Sequence, residues 1–561
     1  MRDTCPAQAG WVSCAVQLIL SAIPTDHLNT RLFRVGIIVD GLKQQAWVDE
    51  AMRDLVRPGV LEVRLVVVCS GATSRYPSAK GFLGMYAGWD RRKFRPAFDA
   101  LVETDISWML QGAQRIDTHL EMRDGKSRLG ASLTKAISTA ELDVVVSFLA
   151  ECPADYTQCR STYGNWYFNI GDGFPYPGLN EVLGNKPVTP AQLLLATDDG
   201  APELVCQCNG SAATDSWRLN LSTSSWRLGA LLKRAVRRVC EHGTEGLYLE
   251  KNSLDRRLEI DSGAGMCRWA RIIALICHNL WNSVSWRLYR ESWFSAIRSL
   301  DGRNPLESIS KLVPMRQPKD AFWADPFPVC TDEGCVIFVE EAKHSDRRGR
   351  IAVLRVDEEG RCIEHLMALE RPFHMSYPFV FRYDGEFYMI PQSGNNGQVE
   401  VFRCVEFPAD WEYHSTILSG EKFSDATLLE HNGKWWLFTT PGTKETLPLD
   451  DLLVFHSRTP FGPWLPHKLN PVISDARHAR PAGRPFVMDG KLLRPAQDCS
   501  YGKYGRAITI REIVTLSEDE FEERDYVRID PVWARGLTKT HTFNFAGDML
   551  VLDGCRKSWR R

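Results

Sequence analysis

Residues 424–438 read SDATLLEHNGKWWLF, and this stretch decides the fold of half the chain. Asn432-Gly433 sits between two short apolar runs, and both central residues of a tight two-residue turn need positive φ, which Asn-Gly supplies at least cost. A β-hairpin is predicted, with Asp425 standing as a polar anchor just before its first strand. The same grammar recurs four more times: an anchor, an apolar or aromatic residue two positions on, a turn glycine, then a strand rich in apolar or aromatic residues. The series is Asp325-Pro326-Phe327 with VIFVEE, Tyr377-Pro378-Phe379 with EFYMI, Arg484-Pro485-Phe486 with KLLRP, and His541-Thr542-Phe543 with DMLVLDG. The repeat is about fifty residues long, the length of a four-stranded propeller blade. Five repeats predict a five-bladed β-propeller over residues 293–561. Its ring needs a strand from the start of the domain, and WFSAIR at 293–298 is placed to supply it.

The anchors Asp325, Tyr377, Asp425, Arg484 and His541 should converge on the central channel from different blades. Two carboxylates, an arginine and a histidine around one funnel suit a sugar or phosphosugar, with Asp325 and Asp425 as catalytic candidates. Tyr377, Arg484 and His541 are substrate-binding candidates, joined by Gln392 and by Glu341 at the end of the first hairpin. The plainer reading is that each polar anchor ties neighbouring blades together through hydrogen bonds.

FWADPFPV (322–329), SYPFVF (376–381), FYMIPQSG (387–394), RPAQDCSYGKYG (494–505) and THTFN (540–544), with the opening stretch, carry a family likeness. The half resembles the five-bladed propeller of family 43 glycoside hydrolases. It is also similar to the N-terminal domain of plant glucosamine inositolphosphorylceramide transferases and its bacterial counterparts. The hydrolase likeness implies that Asp325 is a base, while Tyr377 and Gln392 stand where further acids belong.

The N-terminal half has a different rhythm. FRVGIIV (33–39), a helical pattern over 45–57 and LEVRLVVVC (61–69) make a βαβ unit. A helix around 129–140, strands at 142–149 and 164–170, and a hairpin over 190–208 follow. Gly41 stands alone after the first strand, so a dinucleotide fingerprint is missing. The order of elements resembles the catalytic domain of folate-dependent formyltransferases, over roughly residues 33–240. Gly164, Tyr167, Asn169, Gly171, Pro175 and the Asp198-Asp199-Gly200 turn carry that likeness. It implies Asn169, Asp172 and Asp198 as catalytic candidates, Tyr167 as a substrate contact, and a reduced formyl-folate as cofactor. Tyr167 and Asn169 replace the family's asparagine and histidine, and an asparagine cannot take a proton at neutral pH. The plainer reading of Asp172 and Asp198 is that they cap turns beside glycine.

The fold class is therefore multidomain, α/β plus all-β: a Rossmann-like, formyltransferase-type open sheet followed by a five-bladed propeller. The expected order is an N-terminal extension at 1–30, the α/β domain at 31–240, a linker with an amphipathic helix at 241–292, and the propeller. A net charge of −2 over 561 residues gives no electrostatic reason for a nucleic-acid partner. Cys206 and Cys208 are the closest cysteine pair and no histidine cluster accompanies them, so no metal site is predicted. A disulfide framework is not expected at this size. Most thiols read as small buried hydrophobes, which fits a cytoplasmic, reducing compartment. Residues 11–23 are apolar but too short to span a bilayer. Arginines break residues 267–292, for which an amphipathic linker helix is the first reading and peripheral membrane contact the sharper one.

Three functions follow. The chain is a carbohydrate-active protein of glycan or glycolipid biosynthesis, with a formyltransferase-like domain and a propeller that binds a sugar, nucleotide sugar or glycan. Alternatively, the propeller is itself a glycoside hydrolase or glycosyl-transfer domain. In the third reading both sites are degenerate and the chain is a glycan-binding scaffold.

Overall fold

The computed structural model describes residues 32–57, 59–71, 79–123, 126–172, 175–249, 268–393, 397–420, 422–442 and 449–559. The expected N-terminal extension, the middle of the linker, and parts of the GDGFPYPG and FYMIPQSG stretches lie outside the described residues. The chain divides into two compact units, one built on residues up to His278 and the other from Asn279 onward.

The first unit holds a seven-stranded mixed sheet. Its order is 203–211, 188–195, 165–170, 144–147, 33–39, 61–70 and 114–119. The five strands from 165–170 to 114–119 run parallel, and the last two strands in sequence are antiparallel additions. Helices cover both faces, which is why the central parallel strands 33–39, 61–70 and 144–147 are largely apolar, whereas the edge strand Gln114–His119 is polar and mostly exposed. Val35, Ile37 and Val39 enter one core with Val66, Val144 and Val146, while Ile38 enters the other with Val67 and Val145. The first core is closed by helix Ala46–Val56, through Trp47, Val48 and Leu55, and by helix Trp217–His242, through Leu228 and Leu232. Helix Ala131–Thr139 closes the second with Leu133 and Ile137. The open α/β sheet is thus as expected, with helix Gly81–Lys93 and strand Gln114–His119 added from the stretch that showed no clear period.

Helix Arg268–Leu288 occupies the predicted amphipathic segment. It buries Ile272 and leaves Trp269, Ile273, Leu280, Trp281 and Val284 exposed. Among the described residues no helix is long and apolar enough to cross a membrane.

The second unit contains five antiparallel sheets, one per repeat. Blades one and two run 321–369 and 375–419, blade three 422–474 and blade four 486–529. The predicted hairpin turns have the required geometry: Asp384-Gly385, Asn432-Gly433 and Asp489-Gly490 all hold positive φ at both positions. Outer strands are sparsely buried and charged, as in FEERDYVRI at Phe521–Ile529, which blunts the blade edge against further pairing. Blade five combines both ends of the unit. Strand Tyr289–Ser299 pairs antiparallel with Met549–Trp559 over its whole length, from Tyr289 opposite Trp559 to Ser299 opposite Met549. The closing strand is therefore the predicted one, but it begins at Tyr289 and not at 293.

Cys330 and Cys335 form a disulfide across the first hairpin of blade one, a pairing the sequence reading did not anticipate. Cys69, Cys159, Cys206, Cys208, Cys404, Cys499 and Cys555 are buried and outside any disulfide, as expected of small hydrophobes.

Candidate functional site

The innermost strands of the first three blades share one irregularity. Their pairing slips between Ala324 and Phe327, between Ser376 and Phe379, and between Ser424 and Thr427. At each slip a non-glycine residue holds positive φ: Asp325 at 48°, Tyr377 at 46° and Asp425 at 54°. Such a conformation costs about 1–3 kcal/mol and persists only where the surroundings fix it. A bulge re-aims its side chain, and the hydrogen bonds made by these three supply the fixing.

Asp325 is a hub between blades five, one and two. Its Oδ1 accepts from the Thr542 hydroxyl at 2.7 Å, and its Oδ2 accepts from the Tyr377 amide at 3.1 Å. The Tyr377 hydroxyl meets Thr427 Oγ1 at 2.8 Å and accepts from the Gly483 amide at 2.9 Å. Asp425 is clamped by Arg480, Nε to Oδ2 at 2.6 Å and Nη2 to Oδ1 at 3.2 Å, and by the Gln497 amide at 2.9 Å. All three anchors are at most 4% exposed, so the tie between blades is their direct role.

His541 completes the ring. Its Nδ1 lies 2.6 Å from Asp553 Oδ2, and its Nε2 lies 3.4 Å from Asp325 Oδ1. Burial alone would lower its pKa, but the carboxylates of Asp553 and Asp325 overcome that and hold it up at about 9. Burial pushes Asp325 up to about 6, against the pull of His541. Trp293 stacks on the imidazole with centroids 4.1 Å apart, and Tyr504 meets it edge-on at 5.1 Å. The Arg480 guanidinium lies 4.8 Å over the Tyr504 ring. Trp293 and Tyr504 are half-buried, which makes them the accessible rim of an otherwise sealed cluster.

Two expectations need correction. The fourth positive-φ position belongs to Gly483 and not to Arg484. A Cβ there would meet the Phe543 carbonyl oxygen at 2.1 Å, so no anchor side chain fits. Arg484 instead stacks over Phe379 at 4.6 Å and donates to the Val380 carbonyl. Burial depresses its pKa to about 10. Secondly, Glu341 faces away from the axial group. Its Oε2 takes the Trp323 indole N–H at 2.9 Å and lies 2.9 Å from His365 Nε2. Its neighbour Glu340 is the one that senses the axis: burial, then the charge of Asp325, raise its pKa well above the usual carboxylate range. Successive strand residues point to opposite faces, so one of the pair had to face each way. Gln392 is half-buried and reaches Ser424 Oγ at 3.5 Å.

Among the described residues, Asp325, His541 and Asp553 form a group of metal-ligating types with donor atoms within 4.8 Å of one another. Protonated His541 already supplies the positive charge between those two carboxylates. That charge has a consequence for stability. His541 is raised from 6.5 to about 9, so its contribution is full below pH 6.5 and is lost as pH rises through 9. Wild-type melting temperature should fall across that window, and His541→Gln should flatten the fall. An unchanged alkaline slope in the variant would detach the effect from this cluster.

The candidates in the first unit are not brought together. Asn169 donates to Gly171 O and to Gln192 Oε1, both at 3.0 Å. Gln192 donates onward to Gln207 and Gln207 to Asn209, a ladder of amides across the antiparallel strands. Asp172 accepts from Asn180 at 2.8 Å. Tyr167 is half-buried, and burial lifts its hydroxyl to about 12. Asp198 is exposed beyond Ala196, whose amide bonds the Asn165 carbonyl at the far end of the strand carrying Asn169. Four strand residues separate those ends, roughly 13 Å.

The sequence reading missed Asp553, Arg480 and Trp293 as axial partners, and quoted Gln497 and Tyr504 only as parts of a motif. Asp553, Trp293, Gln497 and Tyr504 lie in the repeat, closing-strand and motif segments but off the anchor positions, and Arg480 lies outside all of them.

The Arabidopsis thaliana glucosamine inositolphosphorylceramide transferase 1 is 33% identical over 264 residues, 43% of this chain and 34% of that protein. Its counterpart from Oryza sativa subsp. japonica is 35% identical over 206 residues, 36% of this chain and 27% of that protein. The chain thus spans about a third or less of the length of these curated relatives. Among solved structures, a thermostable family-43 glycoside hydrolase is 14% identical with a TM-score of 0.29, covering 37% of this chain and 76% of that one. A family 117 glycoside hydrolase from Zobellia galactanivorans is 13% identical with a TM-score of 0.32, covering 47% and 90%. Residues 300–532, which hold the three bulged anchors, match the family described as glucosamine inositolphosphorylceramide transferase 1, N-terminal.

Proposed function

We propose that this chain is a carbohydrate-active protein of glycan or glycolipid biosynthesis, and that its propeller holds a sugar at the axial rim formed by Trp293 and Tyr504. The observation that carries this reading is the pairing of two half-buried aromatic rings with a buried acid–histidine cluster directly behind them. Aromatic faces cover the apolar face of a sugar ring, while fixed polar groups orient its hydroxyls. The transferase names of the relatives that share these blades favour acceptor recognition in a transfer reaction.

Hydrolysis by Asp325 and Asp425 has less support. A glycosidase needs one carboxyl free to give a proton and another free to attack or to activate water. Asp425 is bound by Arg480 and Gln497, and both oxygens of Asp325 accept hydrogen bonds already. Formyl transfer through Asn169, Asp172 and Asp198 lacks a shared site for the three residues. A calorimetric titration with a reduced folate addresses it, and an absence of heat ends it.

The test of the propeller reading is a glycan array followed by titration of the full chain with the oligosaccharides or nucleotide sugars that it retains. Trp293→Ala should weaken that binding by about tenfold or more, since large aromatic contacts dominate such sites. Binding that survives Trp293→Ala and Tyr504→Ala in chains that still melt cooperatively would remove the rim from the account.

A further inference from the structure

Residues 80–95 carry five basic side chains, Lys80, Arg91, Arg92, Lys93 and Arg95, against a single acid, Asp90. In a chain whose net charge is −2, this is a strong local excess of positive charge. Helix Gly81–Lys93 divides the stretch into two faces. The inner face is pinned to the start of helix Trp217–His242. There the Tyr86 hydroxyl accepts the Trp217 amide at 3.4 Å, and Asp90 Oδ2 accepts the Arg218 amide at 2.7 Å. Asp90 is 1% exposed, so the one acid is withdrawn from the surface. The next acid along the chain, Asp99, is taken by Arg218.

The outer face has the opposite character. Phe82, Met85, Trp89 and Arg92 follow one another at steps of three and four, which puts them on one side of the helix. Met85 is 66% exposed and Phe82 39%. A Cβ at Gly88, beside them, would meet nothing within 4 Å among the described residues. Phe94 meets Trp89 edge-on at 6.2 Å, and the Lys93 ammonium lies 5.1 Å over the Trp89 ring, so the aromatic surface runs past the helix end under a cation. Lys80, Arg91, Arg92 and Arg95 are exposed and make no ion pair among the described residues.

These two features together narrow the partner. A solvated basic face accounts for the charges but leaves Phe82 and Met85 in water, on a helix whose inner face holds it in place. A partner that relieves both must offer negative charge at its surface and apolar depth beneath. An anionic bilayer does: apolar side chains enter the boundary of the acyl chains while arginines stay at the headgroups. A nucleic acid would take the arginines through its phosphates and give Met85 no apolar surroundings.

We propose that the outer face of helix Gly81–Lys93 docks on an anionic lipid bilayer, with Phe82 and Met85 at the acyl boundary and Arg91, Arg92 and Arg95 at the headgroups. This surface does not depend on the sugar reading of the propeller, and it differs from the membrane contact expected of residues 267–292.

The experiment sediments the full chain with large unilamellar vesicles, either of phosphatidylcholine alone or of phosphatidylcholine mixed with phosphatidylserine. The chain should pellet with the mixed vesicles and stay in solution with the neutral ones. Arg92→Glu combined with Arg95→Glu should weaken binding by about a hundredfold or more, since each basic side chain at such a surface is worth about fivefold and reversal counts twice. Met85→Glu should weaken it by about tenfold or more, the effect of losing one buried apolar side chain. All three positions are exposed, so these variants should melt as the wild type does. The proposal is overturned if the mixed vesicles are not bound, if neutral vesicles bind as well, or if binding is indifferent to either variant. Loss confined to Trp281→Glu would move the contact to helix Arg268–Leu288, and tighter binding of polyuridylate than of vesicles would assign the charge to nucleic acid. Both outcomes refute this face.

Discussion

Deleting Trp293–Arg298 should abolish the cooperative unfolding of the propeller, whereas trimming residues 267–285 should leave its midpoint nearly unchanged. The deleted residues lie in the middle of a strand that pairs with Met549–Trp559 on one side and with Val313–Pro314 on the other. They carry the buried side chains of Phe294, Ala296 and Ile297. Losing a central strand exposes a full ladder of backbone groups and opens the ring at blade five. That loss is comparable to the whole stability of a domain, about 5–15 kcal/mol. The described part of that segment, 268–285, lies in helix Arg268–Leu288 and contributes no strand to any blade. Urea unfolding followed by tryptophan fluorescence separates the two, and a deletion variant with a normal sharp transition would contradict ring closure through this strand. Ala296→Pro is the milder form, removing one ladder donor and leaving its buried partner unsatisfied at a cost of about 1–3 kcal/mol.

Asp553→Leu is the second large effect, with an expected loss of about 3–5 kcal/mol from stranding buried partners. Asp553 is fully buried. Its Oδ1 accepts the amides of His541 and Thr542, both at 3.0 Å, and its Oδ2 accepts the amide of Asp325 at 3.1 Å. The same carboxylate balances the His541 imidazolium. Leucine would leave three amides unpaired and a buried cation facing Asp325 alone. Asp553→Asn should fall between, because it keeps one acceptor but turns an NH2 group toward a donor. Chemical denaturation of both variants, with exposed Asp198→Ala as a control expected within about 0.5 kcal/mol of wild type, gives the ranking. A leucine variant as stable as the control would show that the axis is not held by this residue.

The two halves of the chain were legible to different depths. Hairpin turns are local: Asn432-Gly433 sets its own φ values, so the blades could be counted by reading a few residues at a time. The uninterrupted apolar strands at 33–39 and 144–147 likewise revealed a sheet covered on both faces. Helix Gly81–Lys93 escaped because its apolar residues follow no clear stripe, and only Tyr86 and Asp90 are buried. Asn169 and Asp198 lie at opposite ends of the antiparallel pair 165–170 and 188–195, a separation that strand pairing and not local sequence decides.

Turn chemistry and strand period, written within a handful of neighbours, were enough to fix the five blades, the closing strand and the open α/β sheet. The sites were another matter. Asp325 meets Tyr377 and Asp553 across separations of 52 and 228 residues, and Asp90 meets the start of a helix 128 residues away. Whether Glu340 or Glu341 faces the axis, and whether Gly483 or Arg484 takes the bulge, turns on register. Register is settled only when whole strands pack, because a shift of one residue costs little locally and sends every side chain to the other face.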